Sequence, residues 1–254
     1  MLAGKVALIF GGTAGIGRAV ARAFLDAGAT VVINGRDPAR GADALQRLSN
    51  PRASFEAGDG ASPAEAREVV RRTVAAHGPI GILVASGGAA ETSPALFEQL
   101  PDDAFEATYR TQFLNRVFPI RAALPAMKER GGSIIIIGTD AGRHATVGES
   151  LHGGLGAAKI MLTKTLAREF ARWHIRVNGL ALTVTAGTEA FDTAMARGDW
   201  VTDLFSKAVA RFPAKRPPEA AEVAGVALFL ASDLSAQVTG QTISVNGGLS
   251  FGGW

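Results

Sequence analysis

The chain has 254 residues, 47% hydrophobic and 19% charged, which is the make-up of a folded domain with a large core and not of a disordered one. Its 26 Lys and Arg exceed its 23 Asp and Glu by only +3, and the arginines are spread along the chain without the clustering of a nucleic-acid footprint. The absence of cysteine excludes disulfides, a thiol nucleophile and thiolate metal sites, and the longest apolar runs, such as IIII at 134–137, fall far short of the roughly 20 residues that span a bilayer.

From the start, MLAGKVALIFGG shows neither a basic leader nor a small-residue cleavage site, so a cytoplasmic protein with no membrane partner is expected. Apolar, β-branched runs at 5–10, 30–35, 53–58, 80–86, 132–138, 175–182 and 241–246 read as strands. They are continuous rather than alternating, which suits strands buried on both faces of a parallel sheet. Helical segments fall between them at 15–28, 38–49, 63–77, 101–129, 152–173 and 219–232. Strand then helix, repeated without a linker, predicts a single α/β domain over 1–254: a doubly wound sheet of about seven parallel strands flanked by helices. The stretch 184–217 breaks the alternation and is expected to be a mobile flap with one or two short helices.

The first strand runs into FGGTAGIGRAV. Glycines at 11, 15 and 17, between a buried strand and a helix, allow a tight turn and close backbone approach, and the helix N-terminus offers free N–H groups to a pyrophosphate. The second strand ends in INGRD. No acid stands there to hold a ribose 2′-OH; Asn34, Gly35 and Arg36 stand instead. Arg36 can fork onto a 2′-phosphate, or it is a solvated residue at the entry to the next helix, which Asp37-Pro38 would start. Asp59, in AGDG after the third strand, has the reach for an adenine amine and equally the chemistry of a turn.

GGTAGIG, AGDG, LVASGG, GTDAG, the helix carrying Lys159, IRVNGLA and FLASDLSAQVTGQTISVNGG together resemble the short-chain dehydrogenase/reductase family over nearly the whole chain. The resemblance implies a Rossmann-type sheet, a nicotinamide cofactor, hydride transfer and a homotetramer or homodimer built through the helices at 101–129 and 152–173. It assigns cofactor contacts to Gly11, Thr13, Gly15, Ile16, Gly17, Arg36, Asp59, Gly60, Ala85, Ser86, Gly87, Lys159 and Val184. With Arg36 in place of an acid, the expected cofactor is NADP(H) rather than NAD(H).

The family's reactive centre combines a serine, a tyrosine and a lysine, with an asparagine that holds a relay water. Here the serine slot holds Thr139, which keeps a hydroxyl. The asparagine slot holds Gln112, and the tyrosine slot, four before Lys159, holds Leu155, which donates nothing. The family's N-N-A-G reads Ala85-Ser86-Gly87-Gly88, and its P-G reads Leu182-Thr183. Seven before Lys159, where the enoyl reductases of the same superfamily place their tyrosine, stands His152. An imidazole offers an N–H when neutral and a proton when charged, near neutral pH. Because Gly153 and Gly154 follow, His152 is open to two readings, catalyst or loop residue. Asp140 and His144 lie on the same lip as weaker candidates. Among His77, His144, His152 and His174 no ligand spacing occurs except that of 144 and 152, in a glycine-rich loop, so no metal is expected. Two functions remain: a reductase of ketones or conjugated enones using Thr139, His152, Lys159 and Gln112, or a cofactor-binding protein without turnover.

Overall fold

Strands run at Val6–Phe10 (β1), Thr30–Gly35 (β2), Ala53–Ala57 (β3), Ile80–Ala85 (β4), Gly132–Thr139 (β5), Ile175–Leu182 (β6) and Thr242–Val245 (β7). All pair in parallel, in the order β3-β2-β1-β4-β5-β6-β7. The computed structural model describes residues 1–88 and 94–251. Helices α1 (Gly15–Asp26), α2 (Pro38–Leu48), α3 (Pro63–His77), α4 (Asp102–Tyr109), α5 (Asn115–Met127), α6 (Ser150–Phe170), α7 (Glu189–Ala196), α8 (Trp200–Arg211) and α9 (Ala220–Ala231) complete the fold.

The strands are apolar at consecutive positions because both faces are covered. Ile135 and Ile137 join the core under α1, α2 and α9, whereas Ile134 and Ile136 join the core under α3, α5 and α6. Period-2 pleating sends neighbours in one run to opposite layers. The strand order reverses between β1 and β4, and in open α/β sheets ligands bind at the carboxyl edge of such a switch point.

One expectation is adjusted. The segment 101–129 is not one helix: α4 and α5 are separated by a π turn at Arg110–Leu114. Pro119 lies inside α5 and has no N–H for the carbonyl four residues back, so an unbroken α ladder is excluded there. The stretch 184–217 holds two helices, α7 and α8, each N-capped by a side chain, Thr188 and Asp199. Among the described residues no helix is long and apolar enough to cross a membrane.

Candidate active site

The turn after β1 is built by glycine. Gly11 has φ +70°, and a Cβ on it would land on the Cα of Gly87; a Cβ on Gly17 would land on the carbonyl of Gly11. This contact joins the first βα turn to the segment after β4 across the switch point. Ala14, the N-cap of α1, has no side-chain oxygen, and the first turn holds no acid. The leading N–H groups and the positive end of the dipole are therefore unblocked. Half-buried Thr13 packs on Gly35, its methyl 2.8 Å from where a Cβ would be, and Ile16 packs on the core below.

Arg36 is exposed. Its neighbour Asp37 caps α2, accepting from Ala39 N at 2.8 Å, and buried Asn34 spends its amide on the carbonyls of Glu56 and Gly58. No acid is left for a ribose. Asp59 closes its own turn through Ala61 N (2.9 Å), with its second oxygen 3.7 Å from Arg110. Gly60 sits over Phe10, Ala85 and Ser86 are buried, and Val184 is half-buried after β6. Thr188, absent from the sequence reading, packs its methyl against Gly15 while its hydroxyl caps α7. The glycine cradle and the uncapped helix fit the pyrophosphate of a dinucleotide.

At the chemical end, α6 starts at Ser150, so His152 lies in its first turn and not in a loop. A Cβ on Gly142 would strike the Gly156 backbone, and one on Gly156 would lie 2.8 Å from the Thr139 methyl. Small residues thus let the end of β5 close directly onto α6. Thr139 and Lys159 line one small cavity with Gly138, Gly179 and Thr242. The Thr139 oxygen accepts from Ala141 N at 3.3 Å, which leaves its proton for another partner. Gln112 is buried and donates to Gly88 O at 3.2 Å, so it is tied to the cofactor-side segment.

The sequence reading missed Arg116. It begins α5 inside FLNRVFPI, is 4% exposed, and bonds the carbonyls of Ile137 and Thr111 and the side chain of Asn115. A charge within an apolar helical stretch was the available signal. Burial pushes Arg116 down to about 10. Lys159, 3% exposed, lies well below its usual range through burial and the Arg116 charge. His152 is lowered to about 4 by burial, Lys159 and Arg116, and its Nε2 is buried without a partner. Burial and the two basic neighbours thus favour the neutral ring, an N–H donor, over the charged acid.

Asp140 is occupied otherwise. Its carboxylate accepts from Ser244 (3.1 Å), Asn246 (2.7 Å) and Ser250, latching the lip to β7 and the segment that follows it. His144 Nε2 is buried without a partner in the loop leading to Gly148, against which the flap residue Trp200 packs. Among the described residues no group of three or more metal-ligating side chains occurs.

A doubly wound sheet with a glycine cradle at its switch point defines a dinucleotide-binding protein of the Rossmann class. A family model described as enoyl-(acyl carrier protein) reductase matches residues 11–250. The chain is 31% identical to the 3-oxoacyl-(acyl-carrier-protein) reductase of Chlamydia pneumoniae over 98% of each chain. It is 33% identical to that of Escherichia coli over 97% of each. Among solved structures it is similar to the 3-ketoacyl-(acyl-carrier-protein) reductase of Brucella melitensis complexed with NADH (TM-score 0.88, 25% identity, 99% of this chain and 100% of that one). A short-chain dehydrogenase/reductase of Mycobacterium ulcerans superposes with TM-score 0.90 at 27% identity, over 98% and 90%. The chain belongs to the short-chain dehydrogenase/reductase family of oxidoreductases.

Proposed function

We propose that the protein is an NADPH-dependent reductase of a ketone or a conjugated enone. The reading rests on one arrangement: Lys159, buried beside Thr139 at the end of β5, shares the sheet's carboxyl edge with the glycine cradle of β1. When bound, the cofactor supplies the hydride. Hydride adds to the carbonyl carbon (the β carbon of an enone), the π electrons move to oxygen, and one proton completes the product. Thr139 orients that oxygen, and neutral His152 gives its N–H to the developing oxyanion. Leu155 contributes no proton, so the proton comes from solvent. Lys159 would hold the cofactor ribose, and Arg36 would hold the 2′-phosphate.

Calorimetry with NADPH and NADH tests the cofactor. NADPH should bind roughly 10–100-fold tighter, the worth of a forked charge-assisted contact, and Arg36→Ala should remove the difference. Equal affinities in the wild type would overturn this. His152→Ala should lower turnover by about 10–100-fold, as for a lost hydrogen bond to a charged oxygen, with NADPH affinity unchanged. The second reading, a cofactor-binding protein without turnover, is favoured by Leu155 in the acid's place. It would prevail if NADPH binds and no ketone or enone is consumed. A homotetramer or homodimer would cover Phe105, Tyr109 and Met161, which are exposed on α4 and α6; sedimentation measures it.

A further inference from the structure

Arg116 carries more charge than its structural surroundings use. Its bonds go only to neutral acceptors: the Ile137 carbonyl at 3.4 Å, the Thr111 carbonyl at 2.8 Å and the Asn115 amide oxygen. Its Nη2 has no hydrogen-bond partner among the described residues, yet it is not among the nitrogens sealed from the surface. The same holds for the Lys159 ammonium group. Neither side chain belongs to any ion pair among the described residues, all of which involve other groups. The one buried acid among the described residues, Asp140 just after β5, is committed to Ser244, Asn246 and Ser250.

Taking a guanidinium out of water costs several kcal/mol unless an anion compensates it. Holding the carbonyl that the π turn directs at Arg116 needs only a neutral donor such as Gln or Ser, so the turn does not account for the charge. A second basic side chain, Lys159, lines the cavity with Gly138 and Thr139, the residues that follow the Ile137 carbonyl held by Arg116, and the partnerless ring nitrogen of His152 adds a third polar group. Among the described residues such a cluster has no counter-ion, and a ligand can bring one.

Building on the reductase reading, we infer that the substrate is an oxo acid, whose carboxylate pairs with Arg116 while its carbonyl oxygen lies between Thr139 and His152. Arg116 suits this task because its fork presents two parallel N–H groups to a carboxylate. Charge selects the substrate: the ester or amide of the same acid leaves the guanidinium buried without an anion.

The test compares acetoacetate with methyl acetoacetate, and 2-oxobutyrate with its methyl ester, in wild type, Arg116→Gln and Arg116→Lys. NADPH oxidation gives kcat/KM, and quenching of bound NADPH fluorescence, together with calorimetry of each acid on the cofactor-free protein, gives affinity apart from turnover. At least one acid should exceed its ester by tenfold or more in wild type. The ratio should fall toward one in Arg116→Gln and recover partly in Arg116→Lys. An ester used or bound as well as its acid, or a ratio unchanged in Arg116→Gln, would overturn the inference. If Arg116→Gln does not fold, the wild-type ratio decides. If NADPH binds without turnover, binding of an acid but not its ester supports the inference and binding of neither overturns it. Failure of NADPH to bind sinks the reductase reading alone, because calorimetry on the cofactor-free protein still separates acid from ester.

Discussion

His152 enters a space already occupied by two basic side chains, and that company sets its chemistry. Its folded value of about 4 lies below the ordinary ~6.5 of the unfolded chain. Between these values the unfolded chain binds a proton that the folded one refuses, so stability contributed by the neutral ring is present above ~6.5 and is lost as pH falls toward 4. The groups facing it are Lys159 and Arg116, both cationic or neutral and neither acidic. Chemical denaturation at pH 7 and pH 4.5 should therefore differ by on the order of 1–2 kcal/mol more in wild type than in His152→Gln. Identical pH dependence in the two proteins would show that the ring is solvated. Spacing along the helix placed His152, Leu155 and Lys159 on one face. It carried no information on protonation, because Arg116 arrives from a different helix and its effect is through space.

The elements were legible where burial on both faces forces a continuous apolar run, and each of the seven strands falls within two residues of its expected place. The interruption between α4 and α5 was not. Periodicity carries across a π turn almost unchanged, and only Pro119 hinted at it. Gly11 and Gly17 show how closely two elements can be locked by absent atoms. Since a Cβ on Gly17 would overlap the Gly11 carbonyl, Gly17→Ala should cost roughly 1–3 kcal/mol of stability, as for overpacking, and should abolish NADPH binding in calorimetry even where the variant remains folded. The flap helices are joined to the cofactor side by the Arg40–Glu189 ion pair at 2.7 Å. That pair is exposed and worth little by itself. Amides of 189–211 should exchange readily in the free protein and slow when NADPH and substrate bind; full protection beforehand would make α7 and α8 fixed parts of the fold.

At the scale of the molecule, two cores on opposite faces of one sheet hold the carboxyl edges of β1, β4, β5 and β6 in fixed relation. Phe24 of α1 is fully buried in the core shared with α9. Phe24→Ala should cost about 3–5 kcal/mol by denaturant unfolding while leaving the substrate preference of the surviving native protein unchanged, since no pocket residue moves with it. The latch at Asp140 has a further consequence in time. Its partner Asn246 lies 106 residues later in the chain. At a synthesis rate of about 5–20 residues per second, roughly 5–20 s separate the two on the ribosome. The glycine cradle and β1 to β5 can form during that interval, but the Asp140 carboxylate waits for Ser244, Asn246 and Ser250. A nascent chain can thus acquire its nucleotide-binding half well before the lip of its pocket is closed, and the lip is completed only by residues 106 or so positions further along the chain.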